Sequence, residues 1–108
     1  MPHEIVDELL TLFSDASKWT QEAEARNDKG EAVQGDDPSA VCWCLSGGMR
    51  YITVKRPDIN KETFQRFYRF LYNEIDKTNF AASLPLYNDK STFTEVRNLL
   101  EQVRRNIG

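Results

Sequence analysis

Three observations predict a mainly α-helical, all-α fold: amphipathic stripes at helical spacing, helix-start signals ahead of several of them, and an apolar run from Ala40 to Val54. Together they predict an irregular four-helix bundle around a buried central helix. A long polar loop or a short β-hairpin separates the first two helices. Residues 1–108 are read as a single helical domain, because a chain of 108 residues with 40% apolar side chains has material for one core.

The first helix is expected over residues 4–17, where Ile5, Leu9, Leu12, Phe13 and Ala16 form a stripe that Val6 and Leu10 widen. From Thr20 to Asp37 large apolar residues almost vanish. Asn27-Asp28-Lys29-Gly30 is a turn signal there, and Ala23, Ala25, Ala32 and Val33 flank it as the arms of a short hairpin.

Asp37-Pro38 has the form of a helix start, an N-cap carboxylate followed by a residue that lacks an N–H. From Ala40 to Val54 the run is apolar nearly all the way round, which predicts a helix sealed inside the molecule. Gly47 and Gly48 cost roughly 1 kcal/mol each relative to alanine within a helix, so a close-lying neighbouring backbone is expected there.

Pro57 ends that helix and Asn60 caps the next, whose face carries Phe64, Phe67, Tyr68, Leu71, Tyr72 and Ile75. Residues 78–91 are expected to form a loop. Thr92 and Glu95 then fit a capping box for a last helix from Phe93 to about Asn106, with Phe93, Val96, Leu100, Val103 and Ile107 inside.

Charge is unevenly spread. The net charge is −3, yet residues 1–37 carry ten acids against Lys18, Arg26 and Lys29, a balance of −7 that leaves +4 for the remainder. Mutual attraction between the two parts accounts for this, as does a basic face for an anionic partner. The cations from Arg50 to Arg69 are opposed only by Asp58 and Glu62, but phosphate binding needs several on one surface, and nucleic acid is disfavoured. No apolar stretch approaches the roughly 20 residues of a membrane span, and Met1-Pro2-His3-Glu4 does not open like a signal peptide. A cytoplasmic location is expected, in keeping with only two cysteines.

Catalytic motifs are absent. Ser46-Gly47-Gly48 lacks the glycine two residues ahead of the serine in a nucleophile elbow, and no Gly-rich phosphate loop occurs. On a helix Cys42 and Cys44 would point about 200° apart, which argues against a shared metal or a disulfide. His3 lies off the apolar stripe of its helix. No cofactor and no metal are implied. Asp28, beside Arg26, and Asp89, beside Asn88, sit in polar loops, where they serve either as site residues or as turn formers. Trp43, Gly47 and Arg50 would share one side of the central helix, where an aromatic and a guanidinium could receive a planar or anionic ligand. Phe70, about 120° off its helix's apolar centre, is a candidate partner or homodimer contact.

These pieces resemble a family of small bacterial and phage proteins known as a domain of unknown function. The resemblance rests on Trp19, on Ala25-Arg26-Asn27-Asp28 with Gly30, and on Asp37-Pro38 with Ala40. It continues through Trp43-Cys44 with Leu45 and Gly47, and through Tyr87-Asn88-Asp89 with Thr92, Glu95 and Val96. The family pattern has tryptophan at the place of Tyr87 and alanine at that of Gly48. It implies a common fold and a common polar pocket, and no reaction.

The leading functional expectation is a non-enzymatic binding or interaction module for a protein or small-molecule ligand. Arg26, Asp28, Trp43, Arg50, Asn88 and Asp89 are its candidate ligand-binding residues, gathered where the loops 20–37 and 85–91 cover the central helix. The alternatives are a small hydrolase or transferase with Asp28 or Asp89 as general base, and a phage-type modulator of a host factor.

Overall fold

The computed structural model describes residues 1–78 and 83–108 and opens with helix α1 (Pro2–Leu12). Ile5, Val6 and Leu9 are fully buried on the predicted stripe. The helix stops sooner than its periodicity suggests. Ala16 is exposed in a short 3₁₀ turn (Ala16–Lys18), because Asp15 turns its carboxylate onto the Ser17 N–H at 2.9 Å and starts a new turn.

The hairpin forms as the turn signal requires. Strand β1 (Ala25–Arg26) pairs antiparallel with β2 (Ala32–Val33). Asn27 Oδ1 accepts the N–H groups of Lys29 and Glu31, both at 3.0 Å, and Gly30 adopts φ +78°. A third strand, β3 (Cys42–Trp43), pairs antiparallel with the other edge of β1, so the strand order is β2-β1-β3.

That third strand corrects the central-helix expectation. The helix predicted from Pro38 begins only at Leu45 and forms α2 (Leu45–Lys55). Asp37 closes a turn rather than capping a helix, accepting the Ser39 N–H at 2.8 Å and the Ser39 hydroxyl at 2.7 Å. Residues 41–44 are drawn into the sheet by the Val41 N–H on the Arg26 carbonyl (2.8 Å) and the Cys44 N–H on that of Glu24 (3.0 Å). Nor is α2 apolar all round. Leu45, Gly47, Gly48, Met49 and Ile52 are buried, whereas Arg50, Thr53, Val54 and Lys55 are exposed.

Helix α3 (Lys61–Asp76) starts at Asn60, whose side chain accepts the Thr63 N–H at 2.8 Å. Of its predicted face Phe64, Phe67, Leu71 and Ile75 are buried, while Tyr72 is exposed. The segment expected as a loop over 78–91 contains helix α4 (Leu84–Asp89), and the rest of that expectation, over 79–82, lies outside the described residues. Helix α5 (Phe93–Ile107) carries the complete capping box of Thr92 and Glu95.

Among the described residues there are thus five α-helices and a three-stranded antiparallel sheet, not a bundle of four helices. The central place belongs to α1, which packs against α2, α3 and α5, while α3 and α5 also pack on each other. The acidic beginning is neutralised from within. Arg56 pairs with Glu4 (2.9 Å) and Glu8 (3.6 Å), Lys55 with Glu8 (3.2 Å), Arg50 with Glu24 (2.5 Å) and Arg104 with Asp7 (2.8 Å). Among the described residues no helix is long and apolar enough to cross a membrane.

Candidate functional site

The two polar segments meet. Asn88 is fully buried, and its Oδ1 accepts both the Trp19 indole N–H (2.7 Å) and the Leu45 N–H at the head of α2 (3.0 Å). Its amide nitrogen donates to the Thr20 carbonyl at 3.0 Å. Gln21 donates to the carbonyls of Asn88 (3.2 Å), Asp89 (3.1 Å) and Ser91 (2.8 Å), satisfying groups at the C-terminal end of α4. Asp89 accepts the Glu22 N–H at 2.8 Å and helps hold Glu22 at φ +62°, a left-handed conformation that costs a residue with a side chain about 1–2 kcal/mol.

Beside this seam opens a cleft of about 360 Å³, lined by Glu22 and Glu24 ahead of β1, Cys44 and Ser46 at the start of α2, and Pro85 and Asp89 of α4. Among the described residues its lining contains three carboxylates and no lysine or arginine. Glu24 accepts the Gly35 N–H at 2.6 Å and pairs with Arg50. Among the described residues Asp89 is matched only by neutral donors, the Glu22 N–H and the Asn88 amide at 3.5 Å. The Cys44 sulfur accepts the Gly47 N–H at 3.3 Å as the N-cap of α2. Burial pushes the Cys44 thiol pKa up, the Gly47 and Ser46 N–H groups oppose this, and the charges of Glu24 and Asp89 add to the rise. Cys44 is therefore a protonated thiol at neutral pH and a weak nucleophile.

The six candidate ligand-binding residues do not share this cleft. Asp89 lines it, and Asn88 lies behind its wall as a fully bonded strut. Arg26 is occupied by the Thr20 hydroxyl (3.0 Å) and the carbonyls of Gly30 (3.1 Å) and Gln21 (3.2 Å). Asp28 is exposed at the hairpin tip. Trp43 stands on β3, not on the helix with Gly47 and Arg50, so the expected aromatic–guanidinium row does not form. Its indole donates to the Gly35 carbonyl at 2.9 Å and lines a separate cleft with Tyr51, whereas Arg50 borders a third with Asp36 and Tyr68. Phe70 is half-buried and packs against the rim of the core.

Sequence reasoning missed Glu22, Glu24, Ser46 and Pro85 as cleft residues, and Gln21 as a clamp. Trp19 was visible only as part of the family pattern. The helical premise for the cysteine pair also falls, since Cys42 lies on β3 and Cys44 caps α2, and both are free thiols. Among the described residues no group of three or more His, Cys, Asp or Glu side chains is placed to hold a metal ion.

A helical core carrying a small antiparallel sheet, with a cleft where its polar segments join, defines a compact, mainly α-helical domain. The chain belongs to a family of unknown function (DUF6197), whose family model matches residues 2–106. No curated protein and no solved structure matches the chain.

Proposed function

We propose that the chain is a small binding module that receives a cationic group, such as an alkylammonium, in the cleft between residues 22–24, the start of α2, and α4. The observation that carries this reading is the cleft itself, about 360 Å³ with Glu22, Glu24 and Asp89 in its wall and, among the described residues, no basic one lining it. A charge entering there meets Asp89, which neutral donors only partly satisfy, and Glu22, while Glu24 is shared with Arg50, next to the apolar surface of Pro85 and the Cys44 thiol. Catalysis finds less support. Asp28 stands in solvent, Asp89 in the cleft is engaged by the Glu22 N–H and the Asn88 amide, and the Cys44 thiol is held protonated.

Titration with putrescine, followed by backbone amide shifts, tests the proposal. Saturable changes centred on Ala23 and Ser46, with a Kd on the order of 0.1–10 mM, are expected. They should vanish in Ser46→Phe, which fills the cleft, and weaken in Glu22→Gln. Equal binding of the uncharged 1,4-butanediol, or shifts that ignore both substitutions, would refute the site.

A further inference from the structure

The second cleft is built differently. Trp43 of β3 and Tyr51 of α2 place their ring centroids 5.1 Å apart at an interplanar angle of 45° and form an aromatic wall. The Trp43 ring is fixed, because its N–H is bonded to the Gly35 carbonyl at 2.9 Å and only 8% of the residue is exposed. Two lysines and Glu8 complete the opening. Lys18 comes from the end of the 3₁₀ turn, and Lys55 lies over the Tyr51 ring at 5.8 Å.

We infer that this cleft is a binding site for a small planar anion of the aromatic carboxylate class, with its ring against Trp43 and Tyr51 and its carboxylate between Lys18 and Lys55. Among the described residues Lys18 makes no ion pair within 4.0 Å, so its charge is available to a ligand. Lys55 is held by Glu8 at 3.2 Å, but Glu8 also faces Arg56 at 3.6 Å. When Lys55 turns to an incoming carboxylate, Glu8 therefore keeps a cation beside it, and the exchange leaves no carboxylate stranded. Size narrows the ligand. The cleft holds about 250 Å³, below the roughly 300–1,000 Å³ of pockets for drug-sized molecules, so one ring with one charged group fits and a nucleotide does not. An aromatic face supplies attraction for the ring that an aliphatic anion would forgo. This site is separate from the acidic cleft, and neither reading depends on the other.

Sodium benzoate is the probe, and the indole N–H resonances of Trp43 and Trp19 are the reporters. Benzoate should shift the Trp43 resonance saturably and leave Trp19 in place, with a Kd on the order of 1 mM. Neutral benzamide should bind at least about fivefold more weakly, as should acetate. Lys18→Glu, a change at an exposed position, should weaken benzoate by about fivefold or more. Glu8→Gln should tighten it, since the competitor for Lys55 is removed. That gain of affinity is not what a merely structural role for Glu8 would give. The inference is overturned if benzamide matches benzoate, if Trp19 shifts as much as Trp43, or if neither substitution moves the affinity in the stated direction.

Discussion

Asn88 shows how a buried polar side chain is conscripted by the fold. Its amide ties α4 to two other segments, through the Trp19 indole and the Thr20 carbonyl of one and the first N–H of α2 in the other. Truncation to alanine would leave those groups without their partner in a site closed to solvent, where each unmade bond costs about 1–3 kcal/mol. We expect Asn88→Ala to lose on the order of 3 kcal/mol in urea unfolding, with a red-shifted tryptophan emission as Trp19 is released. A loss below about 1 kcal/mol would mean that water takes over the role of the amide. Position along the chain gave no hint of this. Asn88-Asp89 reads equally well as a turn, a ligand pair or a strut, because all three use the same donors and acceptors, and only the burial of Asn88 beside Trp19 chooses between them.

At the scale of the element, α2 is defined by how closely it is approached. An added Cβ on Gly47 would lie 1.8 Å from the Glu24 carbonyl oxygen, and one on Gly35 would lie 2.2 Å from the Gly47 carbonyl oxygen. Backbone, not side chain, is the obstacle. Helix propensity alone predicts that Gly47→Ala stabilises by about 1 kcal/mol, but a clash that must displace β1 from α2 outweighs this, and a net loss of about 2–3 kcal/mol is expected. Gly48 is the control. Its added Cβ would meet the Phe13 ring at 3.1 Å and side-chain carbons of Leu12 and Leu9 at 3.2 and 3.3 Å, which need give only a few tenths of an ångström, a cost that the gain in helix propensity offsets, so Gly48→Ala should change stability by less than about 1 kcal/mol. Equal effects of the two substitutions on thermal unfolding would rule this account out. The close approach at Gly47 was legible in the sequence because a glycine inside a helix needs a reason. The start of α2 was not. Ala40 to Trp43 is a short apolar run that suits strand or helix, and the Asp37 carboxylate serves a tight turn as well as a helix N-terminus. Helices α3 and α5 were legible because their periodicity and their caps at Asn60 and Thr92 agree.

Across the whole molecule, the opposed charges of the two parts of the chain become a dependence on pH. Glu4 is held below the usual carboxylate range first by its bond to the N-terminal ammonium and then by Arg56, and Asp58 is held low by its bond to Arg56. Asp15 and Asp37 are lowered first by the hydroxyls of Ser17 and Ser39 and then by the N–H groups of the same residues. A carboxylate whose pKa is depressed by folding contributes stability that is present above its unfolded value, about 4, and is lost as pH falls through the folded value. The melting temperature should therefore stay nearly level from pH 7 to about 5 and fall increasingly below about pH 4. Because these groups are exposed, salt screens them, and the fall should be shallower in about 1 M salt. Glu4→Gln combined with Asp58→Asn removes two of the four carboxylates while leaving the turns at Asp15 and Asp37 intact, so it should flatten part of the acid limb and not all of it. A double variant that follows the wild-type curve throughout would show that the links around Arg56, which join the start of α1 to the end of α2, carry none of the acid sensitivity.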